Sequence, residues 1–157
     1  GVLYRGGDEK RIRQYLIKNN FVDTVIQLPA NLFFGVGIAT CIIVLKKSAK
    51  TDSSVLFIDA SKLFQKNGNK NLLLPEHQDK IMDLYTNRKD EDYLAKLVKN
   101  DDILENDCNL SVSSYVEQED TREVIDIKEV NTRLESLIAE GNDLNDKITK
   151  IIKELGE

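Results

Sequence analysis

The sequence predicts an α/β chain, a βαβ unit followed by further strand and closed by a helical, coiled-coil-like C-terminal extension. Three observations predict it. Apolar runs of β type recur at residues 1–4, 21–28, 40–46 and 54–59, a helical apolar periodicity fills 8–18, and a heptad stripe occupies the last 30 residues.

Residues 1–4 read as a first strand, and Ile12, Leu16 and Ile17 lie on one face of a helix over 8–18. Phe21, Val22, Val25, Ile26 and Leu28 form the next strand, and Cys41 to Leu45 is an unbroken apolar block, so both read as buried. A fourth strand covers 54–59. Residues 61–74, which with Pro75 carry the run FQKNGNKNLLLP (64–75), read as a polar loop closed by that proline, and a helix over 75–87 turns Ile81, Met82 and Tyr85 inward. Residues 87–120 are charged and irregular, with one short strand or helix at Ala95 to Val98. Three regions follow: 1–60, a mixed connecting region 61–120, and a long amphipathic helix in 121–157.

With Ile127 as heptad position a, the a and d series is Ile127, Val130, Leu134, Leu137, Gly141, Leu144, Ile148, Ile151 and Leu155, apolar at eight of nine positions. Ile138 and Ile152 add an e row that widens the stripe toward bundle packing. Gly141 weakens the helix by about 1 kcal/mol relative to alanine. Such a ridge packs on its own domain, on another copy, or on another subunit. The pattern leaves these destinations open.

The loop between the second and third strands carries the strongest functional signal. Pro29 cannot donate to a ladder and ends the strand, while Gly35 and Gly37 permit positive φ or close backbone approach. Leu32, Phe33 and Phe34 lie between them. Phe33 reads as a core plug, whereas Phe34 either folds inward or presents its ring. The GVG triplet is a weak signal, because Thr40 stands where a dinucleotide fingerprint has its third glycine.

Composition narrows the rest. A chain of 157 residues, 41% apolar and 31% charged, suits one compact domain plus an extension, and no apolar run approaches the roughly 18 residues of a membrane span. Cys41 and Cys108 match no metal-ligand spacing and read as reduced thiols of a cytoplasmic protein, and His77 reads as a solvated helix residue without an acid–base partner. Lysine and arginine against aspartate and glutamate number 8 and 3 in residues 1–50, 8 and 8 in 51–100, and 6 and 16 in 101–157. Arg5, Lys10, Arg11 and Arg13 in the basic third meet phosphate or form an ordinary solvated face.

The run LPANLFFGVGIATCIIVLKK (28–47) resembles the end of the methyltransferase domain in modification (M) subunits of type I restriction-modification systems, which are DNA adenine-N6 methyltransferases using S-adenosylmethionine. The upstream GVLYRGGDEKRIRQYLIKNNFVDTVIQLP and the downstream VLFIDAS, NDCNLSVSSYV and final acidic helix ending in LGE fit the same subunit in the same order. Departures are Phe34, Val36, Ala39 and Cys108, where the family more often has Tyr, Thr, Pro and Tyr. The resemblance implies the C-terminal part of a Rossmann-like methyltransferase sheet, with antiparallel strands, followed by a helical arm.

It also implies roles. Phe34 is the counterpart of an aromatic that stacks on the flipped target adenine, within a loop comprising Pro29, Asn31, Leu32, Phe33, Gly35, Gly37 and Thr40. Leu134, Leu137, Leu144, Ile148 and Ile151 are counterparts of the helix that meets the specificity subunit. DNA, the specificity subunit and the restriction subunit are the implied partners. The family's cofactor glycine motif and its Asn-Pro-Pro-aromatic catalytic motif do not occur in these residues. Truncation of a longer subunit is therefore expected, with S-adenosylmethionine bound by the full-length protein and not by this part, and no catalytic residue is assigned. The alternative is a non-catalytic interaction module that forms a homo-oligomer through its last helix.

Overall fold

Strands β1 (Val22–Gln27) and β3 (Ser54–Asp59) pair in parallel at the centre of a four-stranded sheet. β2 (Cys41–Leu45) and β6 (Ala95–Lys99) pair antiparallel on its two edges, giving the order β2-β1-β3-β6. The computed structural model describes residues 1–48, 50–119 and 127–155, and the chain divides into two units, 1–119 and 120–157. In the first unit, helices α1 (Asp8–Lys18), α2 (Pro75–Asn87) and α3 (Asn100–Glu105) pack on the sheet, and a separate hairpin joins β4 (Gln65–Asn67) to β5 (Lys70–Leu72). In the second, α4 (Ile127–Leu155) is a single helix of 29 residues.

Alternation along the two central strands builds two cores. Val25, Val55 and Phe57 pack with Ile17 of α1, Ile103 of α3, and Cys108, Leu110, Val112 and Val116 of the segment that follows. Ile26, Leu56 and Ile58 face the other way, against Ile81 and Leu84 of α2. β1 and β3 are therefore covered on both faces, which is why apolar residues stand side by side in them, Val25-Ile26 in β1 and Val55 to Ile58 in β3. Phe57 stacks on Tyr115 at 4.3 Å between centroids, and the Tyr115 hydroxyl donates to the Asn109 carbonyl at 2.7 Å.

Several expectations are corrected. Residues 1–4 form a turn, with the N–H groups of Tyr4 and Arg5 donating to the Gly1 carbonyl at 3.2 and 3.0 Å. The expected βαβ unit is thus absent among the described residues, and the parallel pair is linked through the antiparallel edge strand β2. That strand is not buried, since Ile42 and Leu45 are about half exposed. Ile12 and Met82 point to solvent, their inward places taken by Arg13 and Leu84. The polar loop of 61–74 contains the hairpin, and 87–120 contains β6, α3 and a 3-10 turn at Val112–Ser114. His77 accepts the Leu74 N–H on Nδ1 at 3.1 Å, capping α2 from its first turn.

At the start of β1 the register against β2 slips by one residue between Val22 and Thr24. This bulge puts Val22 on the same face as Val25 and leaves Asp23 to turn aside. Its buried carboxylate meets Lys46 and Arg88, each at 3.1 Å, and accepts the Thr24 hydroxyl at 3.0 Å. Arg88, in the left-handed region at φ 48°, also reaches Asp52 at 3.3 Å, so it ties the end of α2 to the start of β1. Burial pushes the Asp23 carboxyl up, but Lys46, Arg88 and Thr24 together outweigh it and hold the pKa below the ordinary 3.8.

A carboxyl depressed on folding contributes stability above its unfolded pKa and loses it as pH falls through the lower folded value. Arg88→Met is expected to lower stability by about 2 kcal/mol at neutral pH. The gap from wild type should narrow as pH drops from 3.8 through that folded value, read as urea midpoints in a pH series.

Candidate functional site

The loop leaving β1 is closed at its neck, where the Leu28 N–H donates to the Thr40 carbonyl at 2.8 Å. Leu28 and Pro29 are buried there, and Leu32 packs against the α2-side core. Asn31 (φ 54°) and Gly35 (φ 71°) both take the left-handed conformation, and the Val36 N–H donates to the Phe33 carbonyl at 3.2 Å. At Gly35 a Cβ would find open space, so the positive φ is the constraint. At Gly37 it would rest 3.6 Å from Asn31 Oδ1, an ordinary contact.

This geometry sends the two phenylalanines outward. Phe33 is half exposed, correcting its reading as a core plug; Leu32 takes that place, because the turn at Asn31 reverses which side chain points in. Phe34 is 88% exposed. The Thr40 hydroxyl is buried with no hydrogen-bond partner among the described residues, so it faces the interior and not the loop's outer surface.

The hairpin holds the loop from the side. Asn71 donates its backbone N–H to the Asn31 carbonyl at 3.0 Å and its side-chain amide to the Ala30 carbonyl at 2.8 Å. The Lys70 ammonium lies 4.1 Å from the Phe34 ring centroid, a cation–π contact on one ring face. A shallow pocket of about 200 Å³ opens between them, lined by Phe33, Gly35 and Val36 from the loop and Asn69 and Lys70 from the hairpin. Sequence reasoning missed Lys70 and Asn71. The signal was Gly68-Asn69: a two-residue connection with φ 60° at the glycine, flanked by short polar runs, is a hairpin turn.

The basic residues before β1 separate into different roles. Arg13 is buried and donates to the carbonyls of Cys108, Val2 and Arg5 at 2.8, 2.7 and 2.7 Å, which corrects both readings of it, phosphate contact and solvated face: its guanidinium is committed to backbone. Lys10 pairs with Asp107, and Arg11 with Asp8 at 3.3 Å, while Arg5 is exposed. On α4, Leu134, Leu137, Leu144, Ile148 and Ile151 are all more than half exposed. No group of metal-ligating side chains and no helix long and apolar enough to cross a membrane occurs among the described residues.

A family model described as N-6 DNA Methylase matches residues 1–124. The chain belongs to the N-6 DNA methylase family. This methylase chain is 42% identical to the type I restriction enzyme MpnII methylase subunit of Mycoplasma pneumoniae over 155 residues, 99% of the chain and 28% of that protein. It is 35% identical over 133 residues to the MjaVII methylase subunit of Methanocaldococcus jannaschii, covering 82% of the chain and 23% of that relative. Among solved structures, the type I restriction-modification methyltransferase subunit of Streptococcus thermophilus aligns with a TM-score of 0.73 at 45% identity, over 76% of this methylase chain and 25% of its own. A chain from a type I R-M system, described for its complex assembly and conformational transition, matches 98% of this chain and 34% of its own with a TM-score of 0.59; at 16% identity it speaks for the fold alone. The methylase chain thus corresponds to part of a type I methylase subunit, spanning about a quarter of the length of its curated relatives.

Arg13→Ala is expected to destabilise the chain by about 2–3 kcal/mol, since one buried carbonyl (Cys108) and two part-buried ones (Val2 and Arg5) lose a charged donor. Arg11→Ala should stay within about 0.5 kcal/mol of wild type. Urea unfolding of the two variants checks both.

Proposed function

We propose that this chain is the distal part of an S-adenosylmethionine-dependent DNA adenine-N6 methyltransferase subunit, and that its 28–40 loop receives the target base. The observation that carries the reading is Phe34: a ring 88% exposed on a loop anchored at its neck and side. Adenine in a duplex hides its exocyclic amine, so an enzyme acting there must extrude the base and hold its face against a wall. Phe34 supplies that wall, and stacking one base on an aromatic ring is worth about 1–3 kcal/mol. Pro29 and Leu32 fix the loop to the core, and the turns at Asn31 and Gly35 lift the ring.

The described residues do not fit a cofactor cradle, because no glycine-containing turn joins a strand to a following helix among them. S-adenosylmethionine is assigned to other parts of the complete subunit, as are the acceptors that activate the amine. Arg5 remains a candidate phosphate contact, and Arg11 and Lys10 qualify only by leaving their carboxylates. The exposed stripe of α4 is assigned to the specificity subunit, in a cytoplasmic complex that also includes the restriction subunit.

In the complete subunit with its partners, Phe34→Ala is expected to lower methylation about five- to 150-fold, the equivalent of losing one stacking contact. Phe34→Tyr should keep most of it. Unchanged methylation together with unchanged affinity for an abasic target would remove the base-stacking role.

The α4 stripe also favours a second reading, a non-catalytic module that self-associates through this helix. Light scattering separates the two. A homodimer abolished by Leu137→Asp would support self-association, whereas a monomer that binds an added specificity subunit, and stops doing so on Leu137→Asp, would support docking.

A further inference from the structure

The hairpin beside the loop has properties that the base-stacking reading does not use. Between Asp59 and Glu76 the chain carries three lysines and no carboxylate, although its net charge is −5. Lys62 spends its charge on Glu119 at 3.7 Å. Lys66 and Lys70 have no ion-pair partner among the described residues, and both are exposed. In the hairpin register Lys66 stands opposite Asn71 and Lys70 opposite Asn67, so strand alternation assigns the two lysines to opposite faces of the ribbon. The ribbon is bound to the loop by both Asn71 hydrogen bonds, and its position relative to Phe34 is thereby fixed.

Chemistry selects the partner. An exposed ring with an ammonium 4.1 Å from its centroid joins a π surface to a positive charge. A nucleotide is the complementary object, since its base stacks and its flanking phosphates are anions; sites for unpaired nucleotides combine aromatic platforms with basic grooves. Lys70 covers one face of Phe34, which leaves the other face for a base. With a base there, the ammonium lies within a side chain's reach of the adjoining phosphate. A two-stranded ribbon is also narrow enough to lie in the major groove, where a lysine on each face meets a different phosphate backbone.

We infer that the β4–β5 hairpin is a second DNA contact, in which Lys70 meets the phosphate next to the extruded nucleotide and Lys66 a phosphate of the flanking duplex. This rests on the reading of the 28–40 loop as the target-base loop. Asn71 is then a positioning residue, setting the distance between the stacking ring and the backbone contact. Neither lysine takes part in the methyl transfer.

The test is the affinity of the complete subunit, assembled with its partners, for a duplex containing its site between 50 and 200 mM salt. Each phosphate contact contributes about 0.9 to the slope of log affinity against log salt. Lys70→Gln and Lys66→Gln are each expected to reduce the slope by about 0.9, and the double variant by about twice that. Lys70→Arg should retain it. Phe34→Ala should leave the slope intact while losing the gain in affinity for an abasic site. An unchanged slope in a double variant that melts like wild type would overturn the hairpin contact and leave the stacking role standing. A reduced slope with a silent Phe34→Ala would sink the stacking role and keep the hairpin as a contact to duplex phosphates alone.

Discussion

The parallel pairing of β1 with β3 is the constraint from which the rest of the first unit follows. Both strands are buried on both faces, so their side chains decide which helix lies on which side: α1 and α3 over Val25 and Phe57, α2 over Ile26 and Ile58. It also fixes the ends. β1 begins at the bulge that turns Asp23 into its cluster of cations and finishes at the neck of the phenylalanine loop. One six-residue strand therefore separates a polar tie that closes the fold from an aromatic loop that leaves it.

The two ends handle polar groups in opposite ways. At the start of β1, Asp23 is sealed from water, and the cations around it keep its carboxyl ionised. Lys46 is shared between that carboxylate and the ring of Tyr85, and its own pKa rises because Asp23 binds it. At the far end, Lys66 and Lys70 are exposed with no ion-pair partner among the described residues, and the Lys70 ammonium lies over the Phe34 ring. The first arrangement consumes charge inside the fold, and the second leaves it available to an anion.

Much of this organisation was legible in the residues. The central strands, α1, α2 and the last helix follow from apolar periodicity, and the loop was marked by Pro29, the paired phenylalanines and two glycines. What escaped has a physical cause in each case. Arg13 looks like a surface cation because sequence cannot show three carbonyls converging on one guanidinium. The apolar block at Cys41 to Leu45 resembles a buried strand because hydrophobicity alone does not say whether a second neighbour exists. The slip at Asp23 is set by long-range pairing with β2, which no local pattern encodes. Lys70 and Asn71 were hidden by a ribbon of three-residue strands, too short to show alternation. The family resemblance supplied the role proposed for Phe34, while its exposure and tethering came from the fold.

β2 has one further consequence. Its inner edge is paired with β1, and no other strand borders it among the described residues, so a row of backbone donors and acceptors lies open beside Ile42, Ile43 and Leu45. Natural edge strands are usually blunted by charge, proline or a bulge toward the open side, and this one has none of these between Cys41 and Leu45. Handled on its own, the polypeptide would carry a template for edge-to-edge aggregation.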